Sequence, residues 1–492
     1  MPNCFCKRNR SGRRNNSTSF SNPTVSTRPK QRTRRRVTPP WDTLRQQLRA
    51  DELVFEPAVL AEHAGDKWFA SHLPEAVARP RNTASVAKIL AWAHEHRVPV
   101  TPRGAGYGYV GGCVPSHGGV ALSLMRLNQI LEISARDFVA VVQPAVLTGQ
   151  FQTAVEKQGL FYPPDPASRA DCSLGGNIAT NAGGPHCLKY GVTRDYVLGL
   201  EVVLADGTPV RLGGRTHKNK TGFDLHRLFV GSEGMLGVVT EATLKLLPKP
   251  PFRACLGIGW GEMRTAVQAI QTLFAAGFLP SALELADSFT LAAARRRTGS
   301  DRLAGCNAHF IVELDGHEKS VRQEIAALRR LLTPLGPRFV DRGFGETGSE
   351  ELWALRRQFS YALRDTGLTK LNEDVVVPRG QLEALFRFAA QLQRRHKIQV
   401  ACFGHAGDGN IHVNLMVDES DPAQRARSEV GLDELFRFVI KIGGSITGEH
   451  GIGLAKKAWW ADAVPPAADA LHRTVKQALD PHGILNPGKF LG

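Results

Sequence analysis

The chain has 492 residues, of which 42% are apolar and 22% charged, so its length predicts about two to four domains and its composition a packed globular core. The formal net charge is +16, but residues 1–41 contain 11 lysines and arginines and no acidic residue, which leaves +5 for the rest and argues against a nucleic-acid-binding protein. No apolar run reaches about 18 residues, so we predict no transmembrane helix. The spacing of the eight cysteines fits neither a disulfide framework nor the ligand cluster of an iron–sulfur centre, so we predict neither.

Residues 1–38 are rich in Arg, Ser, Asn and Thr and contain little to bury, so we predict a disordered basic tail. No apolar segment follows the basic start, and a secretory signal is therefore not expected. We predict a cytoplasmic protein, or a mitochondrial matrix protein if the tail is a presequence, although the tail lacks an amphipathic apolar stripe. Peripheral association with a membrane is compatible with this sequence.

The folded part is predicted to begin near Trp41, with a first domain over residues 39–250 in which short helices, strands and glycine loops alternate. Asp206-Gly207 stands between two apolar runs and is typical of a tight hairpin turn. Prolines at 248, 250 and 251 indicate the end of this domain. The predicted elements are a helix over 42–50, a helix from a cap at Thr83 or Ser85 to about Glu95, strands over 98–100 and 120–124, a hairpin of 201–205 with 208–212, and a strand-rich stretch over 236–247.

From residue 251 the pattern changes to alternating strands and helices, which predicts a second domain over 251–445 with one sheet and helices packed on a face. A C-terminal helical segment over 446–492 follows. The predicted strand–helix pairs are 253–258 with 264–276, 308–314 with 319–332, and 375–377 with 380–395.

Several glycine-rich loops stand out in the first domain. The first, over 102–112, follows a predicted strand, and its glycines allow backbone N–H groups to crowd an anion such as a pyrophosphate. It does not match the nicotinamide-binding fingerprint, because the glycine spacing differs and a strand rather than a helix follows. A second segment, 173–184, is dense in Gly, Asn, Ser and Thr and suits a planar, hydrogen-bonding ligand; Pro163–Pro166 precede it, and shorter glycine segments stand at 189–191 and 231–237.

Two histidines of the second domain and a glutamate of the C-terminal segment stand in glycine-flanked loops. His405 and His412 lie in a strand–turn–strand segment, and Glu449 and His450 follow Gly448. Two imidazoles and a carboxylate are a ligand set for Zn²⁺, Mn²⁺ or Fe²⁺ with open positions for substrate. Structural histidines with satisfied hydrogen bonds are the alternative interpretation of these residues.

Together these segments resemble the FAD-linked dehydrogenases of the vanillyl-alcohol oxidase type, and within them the 2-hydroxy-acid branch that includes the glycolate oxidases and D-lactate dehydrogenases. The resemblance covers residues 80–492, and segments 173–191 and 231–237 are together highly specific. It implies an α+β fold with a PCMH-type FAD-binding domain, a ferredoxin-like α+β substrate domain and a C-terminal helical segment that returns to the FAD domain.

The resemblance implies non-covalent FAD, because residues 102–112 contain no His or Cys where some relatives attach the cofactor. Tyr107 departs from the usual Thr or Ser and puts one hydroxyl–phosphate contact in doubt. Arg103–Gly106 are expected at the pyrophosphate, Val238 at the adenine side and Asn486 near the flavin ring. The implied cofactor-binding residues are Arg103, Gly104, Ala105, Gly106, Pro164, Asp165, Ser173, Gly175, Gly176, Asn177, Thr180, Gly183, Gly184, Gly191, Val238 and Asn486.

The resemblance also implies a catalytic set. It matches His405, His412 and Glu449 to the metal ligands, His450 to the general base, and Arg356 to the arginine that clamps the substrate carboxylate. As a residue alone, Arg356 also fits a solvated helix surface. Relatives that act on larger diacids carry a lysine where this chain has Asn372, which predicts a smaller or less acidic substrate, but the nearby Lys370 leaves this inference open.

The implied reaction is metal-assisted oxidation of a small D-2-hydroxy acid, of the D-lactate or glycolate type, to the 2-oxo acid, with hydride transfer to flavin N5. Because the chain has no iron–sulfur ligand run, we expect an external electron acceptor: an iron–sulfur subunit, a soluble electron carrier or a quinone. Two alternatives remain open, a metal-independent FAD alcohol or polyol oxidase and a non-catalytic flavin-binding subunit of a larger complex.

Overall fold

A small, mixed sheet begins the fold in the computed structural model, which describes residues 39–491; the predicted basic tail lies outside the described residues. The first elements are α1 (Trp41–Arg45), β1 (Leu53–Val54), α2 (Pro57–Glu62), β2 (Ala76–Ala78), α3 (Thr83–His96), β3 (Val100–Arg103) and β4 (Val120–Ser123). The sheet has the order β1-β2-β4-β3, with β4 parallel to both β2 and β3. Helix α3 packs on its core through apolar residues three and four positions apart, Val86, Ile89, Leu90 and Ala93.

A second, five-stranded sheet follows and is antiparallel, in the order β5-β6-β10-β8-β9, while β7 pairs with β11. Its β8–β9 hairpin turns at Asp206-Gly207, with Gly207 at φ +88°, as the sequence predicts. The elements of this region are β5 (Ile130–Ser134), β6 (Val139–Val142), α4 (Thr148–Glu156), β7 (Leu160–Phe161), α5 (Leu174–Thr180), α6 (Cys187–Tyr190), β8 (Val197–Val203), β9 (Pro209–Gly213), α7 (His226–Phe229), β10 (Val238–Lys245) and β11 (Leu247–Pro248).

The second half forms one antiparallel sheet of seven strands, in the order β15-β12-β14-β13-β17-β18-β16. Its strands are β12 (Phe252–Trp260), β13 (Ala282–Asp287), β14 (Ala308–Gly316), β15 (Phe339–Phe344), β16 (Thr369–Val376), β17 (Gln399–His405) and β18 (Asn410–Val417). The helices are α8 (Met263–Ala275), α9 (Ser288–Thr298), α10 (Glu318–Leu332), α11 (Gly345–Arg364), α12 (Leu382–His396), α13 (Pro422–Lys441), α14 (Trp460–Ala463) and α15 (Pro466–Leu479).

The two faces of the seven-stranded sheet differ in chemistry. Helices α8, α10, α12 and α13 cover one face with a large apolar core. The other face is covered in part by α9 and α11. Because successive side chains of a strand alternate between faces, a set of charged residues points to this second face, hereafter the polar face. They are Arg253, Glu284, Glu313, Asp374, His405 and His412.

Several boundaries differ from the predictions. Helix α1 ends at Arg45 rather than near residue 50, and the cap of α3 is Asn82, whose side chain accepts the Ser85 N–H, rather than Thr83 or Ser85. Helix α11 begins at Gly345, so Arg356 lies in its middle. The second layer of helices was not predicted, because α9 has little apolar periodicity and ends in consecutive arginines.

The C-terminal segment joins the two halves. After α15 the chain returns to the first sheet, where Leu485 pairs in parallel with Val100 at the start of β3. Ile484 and Leu485 are buried in the core of that sheet. The backbone N–H of Leu454, shortly after Glu449, donates to the Val110 carbonyl oxygen, so the loop after β3 lies close to the segment that carries Glu449.

Candidate active site

A cavity of about 1650 Å³ lies between the glycine segments of the first half and the polar face of the seven-stranded sheet. Drug-sized ligands occupy pockets of about 300–1,000 Å³, so this cavity has room for a large ligand together with a small one. The described residues contain no helix that is long and apolar enough to cross a membrane.

The first glycine loop forms one wall through its backbone. Gly106 adopts φ +69°, a conformation that favours glycine. The Arg103 guanidinium folds back beneath the loop, where it donates to the Gly65 carbonyl oxygen and lies 3.1 Å from the Cys113 sulfur. The side chain therefore supports the loop, and the backbone of residues 104–106 forms the surface that faces the cavity.

Ser173 ties the two glycine segments together. Its hydroxyl oxygen accepts the backbone N–H of Ala105 at 3.3 Å and that of Gly176 at 3.4 Å, the second contact capping α5. A Cβ at Gly175 would lie 2.5 Å from the Cβ of Pro144, so only glycine permits this close approach. Asn177 donates to the Thr148 hydroxyl at 2.7 Å, which fixes its amide within the wall.

Most, but not all, of the predicted cofactor residues line the cavity. Those that do are Arg103, Gly104, Ala105, Gly106, Asp165, Ser173, Gly175, Gly176, Asn177, Thr180 and Val238. Those that do not are Pro164, Gly183, Gly184, Gly191 and Asn486. Asn486 is buried and donates to the carbonyl oxygens of Gly112 and Glu233, so it holds two cavity-lining segments together from behind. At Gly184 a side chain would collide with the Asp165 backbone, and Gly191 adopts φ +82°.

His405, His412 and Glu449 converge in the same cavity, with one potential ligand atom of each within 4.8 Å of the others. Glu449 Oε1 lies 3.4 Å from His412 Nε2 and 3.8 Å from His405 Nε2. The β17–β18 hairpin produces this approach, since His405 pairs with Asn410 in register and His412 alternates to the same face. Gly183 lies beside this group, because a Cβ there would be 3.6 Å from the Glu449 Cβ.

A buried carboxylate holds His405 from behind, whereas Nδ1 of His412 is buried without a hydrogen-bond partner. Glu284 accepts from Nδ1 of His405 and also pairs with Arg356. Burial opposes protonation of His405, but Glu284 and Glu449 raise its pKa well above the usual range. Burial lowers the pKa of His412 to about 3. Burial disfavours the charged form of Glu449, but the adjacent imidazoles, His405 first, lower its pKa to about 2. At neutral pH the carboxylate of Glu449 is charged and the ring of His412 is neutral, and a metal ion bound at Nε2 of His405 would displace the proton that the two carboxylates favour there.

His450 lies against the same group. Its Nε2 is 3.9 Å from Glu449 Oε1, and its Nδ1 is 3.1 Å from Oδ1 of the fully buried Asp374. Asp374 also pairs with the buried Lys456 and accepts the backbone N–H groups of residues 448–450. Burial opposes protonation of His450, but Asp374 raises its pKa above the ordinary value. The ring is thereby fixed with Nε2 toward the cavity.

Arg356 lines the cavity from α11, with its Nε bonded to Glu284 and its guanidinium 4.9 Å from the centre of the Phe403 ring. It is therefore not a solvated surface arginine.

The sequence alone does not single out Glu284, Asp374 or Lys456. The detectable signal is a charged residue inside an apolar strand, as in Ala282-Leu-Glu-Leu-Ala286 and Asp374-Val-Val.

A further buried network links the two halves at the cavity wall. His186 Nδ1 lies 2.7 Å from Asp165 Oδ2, and its Nε2 lies 3.0 Å from Glu313 Oε1 on the polar face. Trp353 Nε1 and Arg253 both donate to Glu313 Oε2, at 2.8 and 2.9 Å. The Asp165 carboxylate thus contacts His186 and also lines the cavity.

The residues fit both expected groups. Tightly packed glycines with backbone facing a long cavity suit a dinucleotide, since a Cβ at Gly175 would close that approach. Two imidazole nitrogens and a carboxylate oxygen are the donor set of a divalent transition-metal site, and the carboxylate of Glu284 orients the first histidine as such sites require.

Family models match both halves of the chain. Residues 74–213 match an FAD binding domain, and residues 249–490 match the C-terminal domain of FAD linked oxidases. Together these matches cover most of the described chain.

Curated relatives span nearly the whole length. Glycolate oxidase subunit GlcD of Bacillus subtilis is 39% identical over 418 residues, 85% of this chain and 89% of that relative. D-lactate dehydrogenase of Anaerostipes hadrus is 35% identical, over 85% of this chain and 89% of its own length. D-2-hydroxyglutarate dehydrogenase of Xanthomonas citri pv. viticola is 34% identical, over 91% and 96%.

Solved structures show the same fold at low sequence identity. Substrate-bound p-cresol methylhydroxylase superposes with a TM-score of 0.74 at 18% identity, over 92% of this chain and 96% of that one. The 4-ethylphenol oxidase from Gulosibacter chungangensis gives 0.74 at 21% identity, over 91% and 96%. The predicted resemblance, α+β fold and enzyme class are confirmed: this chain belongs to the FAD-linked oxidases, with the vanillyl-alcohol-oxidase fold, and is an FAD-linked oxidoreductase.

Proposed function

We propose that this protein oxidises a small D-2-hydroxy acid, of the D-lactate or glycolate type, to the 2-oxo acid, using non-covalent FAD and a divalent metal ion (Zn²⁺, Mn²⁺ or Fe²⁺). The observation that carries the proposal is the meeting, in one cavity, of the glycine segments and the His405–His412–Glu449 cluster beside His450. Relatives named for glycolate, D-lactate and D-2-hydroxyglutarate support the substrate class.

FAD, when bound along the glycine segments, supplies the acceptor for the α-hydrogen as hydride. A metal ion held by His405, His412 and Glu449 supplies a Lewis acid that lowers the pKa of the α-hydroxyl. The side chains of the protein bind and orient the substrate and accept its hydroxyl proton.

Arg356 binds the substrate carboxylate in this proposal. Its Nε is committed to Glu284, which also holds His405, so one buried carboxylate fixes both the arginine and a metal ligand. We assign the two terminal nitrogens of the guanidinium to the substrate carboxylate, because that geometry matches a carboxylate in bidentate fashion. The substrate is thereby oriented relative to the metal ligands.

His450 removes the hydroxyl proton at Nε2. Asp374 holds Nδ1 and favours the protonated ring, so the same contact that orients the base also increases its affinity for the proton. Buried Lys456 neutralises part of the Asp374 charge and keeps that carboxylate in place.

Reduced cofactor requires reoxidation by an external partner. We propose an iron–sulfur subunit, a soluble electron carrier or a quinone, since the sequence contains no iron–sulfur ligand run. A cytoplasmic or mitochondrial matrix location stays a prediction from the sequence.

The test is anaerobic reduction of the bound flavin. The purified protein is mixed in turn with glycolate, D-lactate, L-lactate and D-2-hydroxyglutarate while the visible absorbance of oxidised flavin is recorded. The proposal predicts bleaching by a D-2-hydroxy acid or glycolate and slower or no bleaching by L-lactate. A flavin-loaded protein that none of these acids bleaches, but that a simple alcohol or polyol does, would contradict it.

A further inference from the structure

A row of basic and polar side chains extends along the cavity beyond the metal cluster. Arg356, Ser360 and Arg364 follow one another at intervals of four residues on α11, so they form one stripe on that helix. All three line the cavity. Each step corresponds to about 6 Å along the helix axis, so the stripe runs outward from the carboxylate-binding position proposed for Arg356.

Strand β16 provides the facing wall. Lys370, Asn372 and Asp374 alternate onto the same face of this strand, and Lys370 and Asn372 line the cavity. Lys370 lies four residues before Asp374, which holds His450, so the two positions are about 13 Å apart along the strand. The Lys370 Nζ donates to the Ser360 hydroxyl at 3.1 Å, which joins the strand to the helical stripe.

Two cations in this region have no acidic ion-pair partner among the described residues, although Asp171 also lines the cavity. In the described part of the chain, neither Lys370 nor Arg364 takes part in an ion pair, and Ser360 is a neutral partner. The Oδ1 atom of Asn372 is buried without a hydrogen-bond partner. Burial, then the charges of Arg364 and Arg356, lowers the pKa of Lys370 to about 8. Unpaired cations that share a cavity wall are stabilised when an anion binds among them.

We propose that this second cationic position, formed by Lys370, Ser360 and Arg364, binds a second anionic group at the far end of the 2-hydroxy-acid substrate. The inference rests on the proposed oxidation of a D-2-hydroxy acid, and it changes the expected substrate from the D-lactate or glycolate type to a hydroxy acid with a second anionic group, either a carboxylate or a phosphate. The presence of Asn372 in place of a lysine predicts a less acidic substrate. The inference replaces that expectation, because Lys370, two residues away on the same face of β16, supplies a positive charge instead.

Steady-state kinetics with an artificial electron acceptor test this proposal. The substrates are D-lactate, which has one anionic group, D-malate and D-2-hydroxyglutarate, which have two carboxylates, and D-3-phosphoglycerate, which has a phosphate. A charge-assisted hydrogen bond changes binding by about ten- to a hundred-fold. We therefore expect kcat/KM for at least one doubly anionic acid to exceed that for D-lactate by about ten-fold or more, and the preferred group to identify carboxylate or phosphate.

Single substitutions identify which residues produce the preference for a doubly anionic acid. Lys370→Met is expected to lower the ratio of kcat/KM for the doubly anionic acid to that for D-lactate by about ten- to a hundred-fold, with most of the change in KM. Arg364→Gln, at an exposed position that folding does not depend on, should lower the same ratio to a smaller extent. Lys319→Met, at an exposed lysine of α10 outside the cavity, is the matched control and should leave the ratio unchanged.

The contrary outcomes are distinct. D-lactate preferred over every doubly anionic acid, or a ratio unchanged in both Lys370→Met and Arg364→Gln, would overturn the inference and leave the proposed function intact. Loss of bound FAD from Lys370→Met, with the control variant fully loaded, would assign the cations to the cofactor and also overturn it. Failure of all four acids, and of glycolate, to reduce bound flavin would instead contradict the proposed function itself.

Discussion

Replacing Asp374 by asparagine should separate the structural and catalytic roles of one buried carboxylate. Asp374 is fully buried, pairs with buried Lys456 and accepts three backbone N–H groups from the loop that carries Glu449 and His450. Asparagine keeps the size and one acceptor oxygen but removes the charge. Lys456 then loses its nearest counter-charge inside the protein.

The expected magnitude follows from the geometry. Breaking a buried ion pair by removal of one partner costs about 3–5 kcal/mol. Glu373 Oε2 remains 3.7 Å from the Lys456 Nζ, so we expect the lower end, about 3 kcal/mol. Because Asp374 also orients His450, kcat should fall by about ten- to a hundred-fold as well, the range for loss of such a supporting carboxylate.

A double-mutant cycle measures this. Urea denaturation monitored by tryptophan fluorescence is compared for wild type, Asp374→Asn, Lys456→Met and the double variant. We expect a coupling free energy of about 2–3 kcal/mol, with the double variant more stable than Asp374→Asn but still slow in turnover. A coupling below about 0.5 kcal/mol, or recovery of full turnover in the double variant, would refute the reasoning.

Three further predictions concern the other parts of the site. His412→Ala should remove bound metal and turnover but leave FAD bound, because separate segments form the two sites; metal and flavin analysis of one preparation checks this, and joint loss of both would contradict it. Gly175→Ala should lower FAD retention and destabilise the protein by about 1–3 kcal/mol, since its methyl group meets a neighbouring proline, whereas Gly380→Ala, with open space around it, should do neither. Burial opposes protonation of His186, but two carboxylates, including Glu313, raise its pKa well above the unfolded value of about 6.5. The protonated His186 ring therefore stabilises the folded protein fully below about pH 6.5, and this stabilisation is lost as the pH rises through the folded-state pKa. The difference in Tm between wild type and His186→Gln should be largest in acid and become smaller in alkali. A difference that grows with pH would refute this.

The segments that the sequence singles out are those in which chemistry and backbone geometry coincide. The turn between His405 and His412 and the glycines of 173–184 have strong local patterns, and the structure places both at one cavity. Strand alternation places His412 and Asn414 on one face of β18.

The supporting residues were not predicted, because they depend on pairing between strands distant in sequence. Glu284 reaches His405 only because β13 pairs with β17, and Asp374 reaches His450 only because the 448–450 loop folds onto β16. Arg103 shows the opposite case: its place in the loop was predicted, but its contact with the Gly65 carbonyl depends on a segment about 40 residues earlier.

The most direct test of the account is the anaerobic rate at which a 2-hydroxy acid reduces bound flavin, before and after removal of metal. Wild-type protein is treated with a chelator, freed of it, and mixed with substrate in a stopped-flow instrument with and without added Zn²⁺, Mn²⁺ or Fe²⁺. The account predicts unchanged flavin content, a large loss of the reduction rate and its recovery with at least one of these ions. An undiminished rate in protein shown to be free of metal would contradict the role assigned to His405, His412 and Glu449.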